Sequence, residues 1–388
     1  MGKIIRIYLI AIFITIILLF AAFSGIFDED PKKTEDTPII VIPTDYSSIL
    51  PDWNDGEYHD YKGAKIKLTE LENDFSDLSW VYSIGKSVLG RDIWCIRITN
   101  ELNTSRKFSC LIDGTIHGSE WESGDACLYL AEYLLINYGH NNTISNILNK
   151  SEIYIVPVLN PDGRQKDERW NDNGVDVNRN FDSHFGRWKA YNLRLGKLFG
   201  IIKIPTIYLP RLGRRYFNCG RRPFSEPETK ALRDLANSLK SKDFSFYVNC
   251  HTAQYFLSSV CNVDYKPEFK VTNQQRIVFN SILDWVEENT EYQAVYGEDY
   301  QHVGFGTAQD WFFKEFRIVS FTFEILSPDY EPGYVGKGKH DNLVHWMKTT
   351  IPVYMFLLVN MENLYNWEEA NIVPHLPEGI PPEPLEQS

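Results

Sequence analysis

The chain has no excess of positive charge, no CxxC cysteine pair and no internal repeat, and each absence removes a class of protein. Its 388 residues hold 39 Lys and Arg against 52 Asp and Glu, a net charge of −13. An acidic surface of this size cannot neutralise a phosphate backbone, so nucleic-acid binding is excluded as the main role. Without CxxC spacing, a zinc site built on thiolates is not expected. The six cysteines (Cys95, Cys110, Cys127, Cys219, Cys250 and Cys261) instead fit disulfides in an oxidising compartment, though no pairing follows from spacing. The run from Ile7 to Phe27 lacks any polar stripe, which argues against a core helix there, since it would have no outward face. Residues 28–57 are too few for an inhibitory domain with a core of its own.

The Ile7–Phe27 run is long enough to cross a bilayer and follows Lys3 and Arg6. The positive flank predicts a cytoplasmic N-terminus and an extracellular remainder, held at the membrane by residues 1–27. The alternative is a cleaved signal, with Ala22-Phe-Ser24 as a small-residue site. Residues 28–57, rich in Pro, Asp and Thr, read as a stalk, and residues 363–388, rich in Pro and Glu, as an extended tail.

Between them, strand-like runs alternate with helix-like ones. Strands are expected at Ile93–Ile98, Phe108–Asp113, Glu152–Val158, Ser245–Cys250 and Ile318–Glu324, and helices at Gly124–Leu135, Glu226–Leu239, Asn273–Glu288 and Leu343–Asn360. This interleaving predicts one α/β domain over residues 58–362, with helices on both faces of a twisted central sheet. In such sheets ligands gather beyond the carboxyl ends of strands. There, the strand ending at Asp113 runs into Gly-Thr-Ile-His117-Gly-Ser-Glu120. An imidazole and a carboxylate three residues apart on a turn can meet one metal ion, and a catalytic zinc wants a third protein ligand. His251, just past another strand in Asn-Cys-His-Thr, is the candidate.

Six motifs then stand in order: His117-Gly-Ser-Glu120, Asn160-Pro-Asp-Gly163, Asp176-Val-Asn-Arg-Asn180, Ser225-Glu-Pro-Glu-Thr229, His251 and Ser320-Phe-Thr-Phe-Glu324. With the opening Gly85-Lys-Ser-Val-Leu-Gly-Arg91, this order resembles the zinc metallocarboxypeptidases of the pancreatic carboxypeptidase type. The HGxE form and the NGVDVNRNF run are closer to their regulatory and bacterial branches. The resemblance implies that fold, with a mixed parallel and antiparallel sheet. It also implies one zinc ion on His117, Glu120 and His251, and Glu324 as general base. Arg169 is implied as the stabiliser of the tetrahedral intermediate, and Asn178 with Arg179 as the clamp on a peptide's free terminal carboxylate. Asp176 would orient His117. The tyrosine that closes over substrate in the family falls here on His302, with Tyr300 two residues before it. Gln309 takes the position at the base of the pocket for the last side chain. The connection from Phe181 to Pro223 carries Arg211, Arg214, Arg215, Arg221 and Arg222, either an entrance favouring acidic substrates or a solvated loop. A cell-wall peptidase cutting beside diaminopimelate is the rival enzyme reading, and an inactive binding module on the same fold the lesser one.

Overall fold

The computed structural model describes residues 48–54, 57–186, 218–252, 254–260, 270–296, 305–325 and 343–367. Eight strands build one sheet: β1 (Ser79–Lys86), β2 (Asp92–Ile98), β3 (Phe108–Asp113), β4 (Ser151–Val156), β5 (Phe244–Thr252), β6 (Phe256–Ser258), β7 (Gln293–Val295) and β8 (Val319–Ile325). Nine helices accompany them among the described residues: α1 (Tyr61–Asp74), α2 (Trp121–Asn137), α3 (Asn142–Lys150), α4 (Pro161–Lys166), α5 (Pro227–Ser238), α6 (Asn273–Asn289), α7 (Ala308–Phe316), α8 (Leu343–Val359) and α9 (Met361–Tyr365). The strand order is β1-β2-β4-β3-β5-β8-β6-β7. The central strands β4, β3, β5 and β8 run parallel, and antiparallel pairs flank them on both sides. This is the mixed α/β sheet expected.

Alternation along the strands explains why both faces are covered. Cys110, Ile112, Phe246 and Val248 pack with α2, α6 and α8 on one side. Their neighbours Leu111 and Tyr247 pack with α5 and α7 on the other. Side chains of successive strand residues point to opposite faces, so a strand buried on both must be apolar throughout. β3 and β5 are buried at every position. The same demand corrects the disulfide expectation for four of the six cysteines, while Cys261 lies outside the described residues. Cys95, Cys110, Cys127 and Cys250 are fully buried reduced thiols in these cores, where cysteine serves as a small apolar side chain.

Two further expectations meet the structure at the N-terminal side. The apolar run and residues 28–47 lie outside the described residues. Among the described residues no helix is long and apolar enough to cross a membrane. Residues 48–54 and 57, read as the end of a stalk, lie on the folded body instead. The indole of Trp53 is buried, and the Asn137 side chain bonds both backbone groups of Ile49.

The Ser225-Glu-Pro-Glu-Thr229 motif starts α5 and braces the loop that leads to the site. Glu226 Oε2 accepts from Asn171 and Asn173, and Glu228 Oε2 accepts from Asn171. Asn180 Oδ1 in turn takes the N–H of Glu226 and the hydroxyl of Thr229. Burial pushes the Glu228 carboxyl up to about 7. Its folded pKa therefore lies above the unfolded one, so its stabilisation is complete below about pH 4 and is lost as pH rises through 7. Melting of the metal-free Glu228→Gln protein should depend less on pH than the native protein's between pH 4.5 and 7.5. The difference should be on the order of 1–3 kcal/mol over that range. Equal slopes in the two proteins would show that Glu228 is ionised in the fold.

Candidate metal centre

Three strand ends and one helix start converge on a single buried point. β3 ends at Asp113, and the following turn carries His117 across the top of the sheet. That turn passes so close to the Asn160–Gly163 loop that a Cβ on Gly118 would lie 2.1 Å from the carbonyl carbon of Gly163. Only glycine fits there. Glu120 then stands at the N-terminal cap of α2, and His251 lies near the end of β5.

His117 Nδ1 is 2.6 Å from Glu120 Oε1, His251 Nδ1 is 2.8 Å from Glu120 Oε2, and the two Nδ1 atoms are 3.2 Å apart. One donor atom from each of the three residues lies within 4.8 Å of the others, and all three residues are buried. The outer ring nitrogens are committed elsewhere. His117 Nε2 is 3.1 Å from Asp176 Oδ1, and His251 Nε2 is 2.5 Å from Asn249 Oδ1. With the Nε2 protons on these acceptors, the Nδ1 atoms face inward, where a cation would take their lone pairs. Burial would raise the Glu120 carboxyl, but the two histidines outweigh it and hold it below the usual carboxylate range. Burial lowers the His251 imidazole in turn. An anionic carboxylate and two imidazole lone pairs facing one another are a donor set for a cation, and two nitrogens with one oxygen suit zinc.

The surrounding residues extend this arrangement. Burial would raise Asp176, but Arg169, then His117 and Arg179, hold it well below the usual range. Arg169 bonds Asp176 Oδ2 through Nε at 3.1 Å and Nη2 at 3.0 Å, with Nη1 3.4 Å from Glu120 Oε1. The sheet register sets Glu324 of β8 directly beside His251 of β5. Its Oε2 is buried without a hydrogen bond. Burial, then the charge of Glu120, push the Glu324 carboxyl well above the usual range, against the pull of Arg169.

Asn178 and Arg179, expected to clamp a terminal carboxylate, also lie at this end of the sheet. Asn178 Oδ1 accepts the N–H of Ala308 at the start of α7, and Asn178 Nδ2 lies 3.0 Å from His251 Nε2. Arg179 turns Nη1 onto the Asn178 carbonyl at 2.7 Å. Gly306, at a φ of +65°, packs onto the Arg179 backbone so closely that a Cβ would sit 2.1 Å from its carbonyl oxygen. Gln309 is buried on α7 and donates to the Ser259 carbonyl. His302 and Tyr300 lie outside the described residues, as do Arg211, Arg214 and Arg215, while Arg221 and Arg222 are exposed.

Two supporting residues escaped the sequence reading. Asn249 holds His251, and Asp113 holds Asn249 while also accepting from Tyr247. An acid closing an otherwise apolar strand, and a polar residue two before a candidate ligand on the same strand face, are the signals that could have found them.

A zinc carboxypeptidase family model matches residues 66–199 and 210–357. Mouse carboxypeptidase D is 28% identical over 156 residues, 37% of this chain but only 11% of that protein. Human carboxypeptidase A6 is 25% identical over 305 residues, covering 72% of this chain and 63% of its own length. The crystal structure of carboxypeptidase A from Helicoverpa armigera shares the fold, with a TM-score of 0.59 at 21% identity over 82% of this chain and 76% of that one. The match runs through both halves of the sheet and takes in every residue gathered at the buried donor set, and by it this chain belongs to the zinc carboxypeptidase family.

Proposed function

We propose that the chain is an active zinc-dependent carboxypeptidase that hydrolyses the last peptide bond of substrates with a free C-terminus. The observation that carries the reading is the placement of a carboxyl of raised pKa, Glu324, beside a buried His117–Glu120–His251 donor set. Bound zinc would supply Lewis acidity, which acidifies water and polarises a carbonyl. The chain's own groups do the rest. Glu324 takes the proton from the attacking water and passes it to the leaving amine, the task its raised pKa suits. Arg169, forked on Asp176, offers a fixed positive charge to the oxyanion formed at the scissile carbonyl. Arg179 and Asn178 take the terminal carboxylate, a planar anion that a guanidinium grips bidentately.

The metal and the base separate cleanly in two variants. His251→Ala should lose most of its zinc by metal analysis. Glu324→Gln should keep it while turnover falls by at least ~10²-fold. A fully zinc-loaded, well-folded His251→Ala protein would remove His251 from the ligand set, and near-normal turnover in Glu324→Gln would assign the base elsewhere.

The clamp predicts the substrate's end. Removing the anionic partner of Arg179 costs about 2–5 kcal/mol in a desolvated site. Peptides with an amidated C-terminus should therefore lose at least ~30-fold in kcat/KM. Arg179→Ala should raise KM and erase the preference for a free terminus. Equal cleavage of free and amidated peptides, with activity on diaminopimelate-containing fragments, would favour the cell-wall reading.

The Ile7–Phe27 run with Lys3 and Arg6 before it supports placing the catalytic body outside the cell, held at the membrane. Protease added to intact cells should release that body. Its recovery, protected, in the soluble cytoplasmic fraction would contradict the placement.

A further inference from the structure

Residues 48–54 and 57–60 follow α2 from end to end. Tyr133 O–H donates to Ser48 Oγ at 2.9 Å, and Asn137 exchanges two 2.7 Å bonds with the backbone of Ile49. Trp53 donates its indole N–H to Glu132 at 2.6 Å and sets its ring edge-on to Tyr129 at 5.3 Å. Tyr58 O–H donates to Glu122 Oε1 at 3.0 Å, and the N–H of His59 to Asp125 Oδ1 at 3.2 Å. The helix positions used (122, 125, 129, 132–133 and 137) recur every three or four residues, so they form one stripe. The segment runs antiparallel to the helix, about 22 Å along its axis.

The far end of this contact reaches the metal centre. Glu120 caps α2 without a side-chain bond to the helix, so the first turn is held by what packs around it. Arg164, fully buried, accounts for much of that packing. It grips the His59 carbonyl through Nε and Nη2, pairs with Asp125 Oδ2 at 3.2 Å, and lies 4.0 Å from the centre of the Trp121 ring. Glu122, held by Tyr58, is 3.5 Å from the Thr252 hydroxyl, and the Thr252 N–H is 3.3 Å from Glu120 Oε2. The contacts thus span both elements that carry ligands. A buried ion pair is a poor source of stability but defines a geometry.

We propose that residues 48–54 and 57–60 are a strap that sets the zinc affinity of the site, with Tyr58 and Arg164 as positioning residues for Glu120. The proposal rests on the metal reading above and not on peptidase activity. Coupling of this kind is reciprocal: if the strap strengthens zinc binding, zinc must steady the strap by the same factor.

Hydrogen exchange on the full-length native protein, in detergent, tests the reciprocal half. The amides of Ile49 and His59 should exchange at least ~5-fold more slowly with zinc than without. Chelator competition tests the direct half, because loss of groups supporting a ligand weakens metal binding by about 10-fold or more. Tyr58→Phe and Trp53→Ala should each raise the zinc Kd by about 10-fold, Trp53 doing so from a position remote from every ligand. Leu235→Ala, a core truncation on the opposite face of the sheet, should leave Kd within twofold. Strap amides indifferent to zinc, or an unchanged Kd in both strap variants, would overturn the proposal while leaving the metal site standing. A native protein that binds no zinc would overturn both. Should Trp53→Ala fail to fold, the exchange measurement on the native chain still decides.

Discussion

Three electron-rich atoms brought together in the protein interior are the constraint around which this molecule is arranged. Two imidazole nitrogens and a carboxylate oxygen, all buried within 4.8 Å, can be held there only by protons or a cation between them. Such a cluster persists only if the surrounding fold over-determines it or a cation reconciles it. Both conditions leave marks here. Asp176 and Asn249 fix the rings from outside, Arg169 and Asp113 fix those two in turn, and α5 braces the loop from which Asp176 and Asn178 project. The destabilisation is local and the support is spread over most of the sheet's upper end.

The sheet converts sequence distance into proximity. His117, Asp176, His251 and Glu324 are dispersed over more than half the chain, yet parallel strands deliver their ends to one edge. Catalytic constellations on rigid elements hold their geometry better than those on loops. Here His251 lies within β5, and His117 and Glu120 follow β3 through one turn, whereas the groups that would read substrate, Asn178 and Arg179, sit in a short helical turn pinned by Gly306 and the start of α7.

What the sequence made legible follows the physics of each feature. The buried parallel strands were readable as apolar runs, and β3 matches its expected bounds residue for residue. α2 begins at Trp121, three residues before the expected start, because it is buried almost all round and gives no amphipathic edge. β6 and β7 are three residues each, too short for alternation to register. β1 escaped because it is a partly exposed edge strand with glycine in it. The donor set was readable because motif residues carry chemistry. Asp113 and Asn249 carry no motif, so only their places on the strands could have singled them out. The strap misled for a compositional reason: Pro, Asp and Thr suit an open tether, and the anchoring groups on α2 that dock its last residues lie 64 to 88 positions away. Arg164 gave no signal at all, since nothing local tells a buried arginine from a solvated one.

The pairing of Glu324 with His251 across the β5–β8 ladder carries a practical corollary for anyone preparing the protein. Side chains change face with every residue, so a one-residue slip of β8 would turn the carboxyl to the far side of the sheet. None of the three metal donors belongs to β8, so such a molecule would still load zinc and pass a metal assay as sound. Zinc stoichiometry therefore counts molecules whose β3–β5 half has assembled. The fraction able to turn over must be counted by a ligand that touches Glu324 itself.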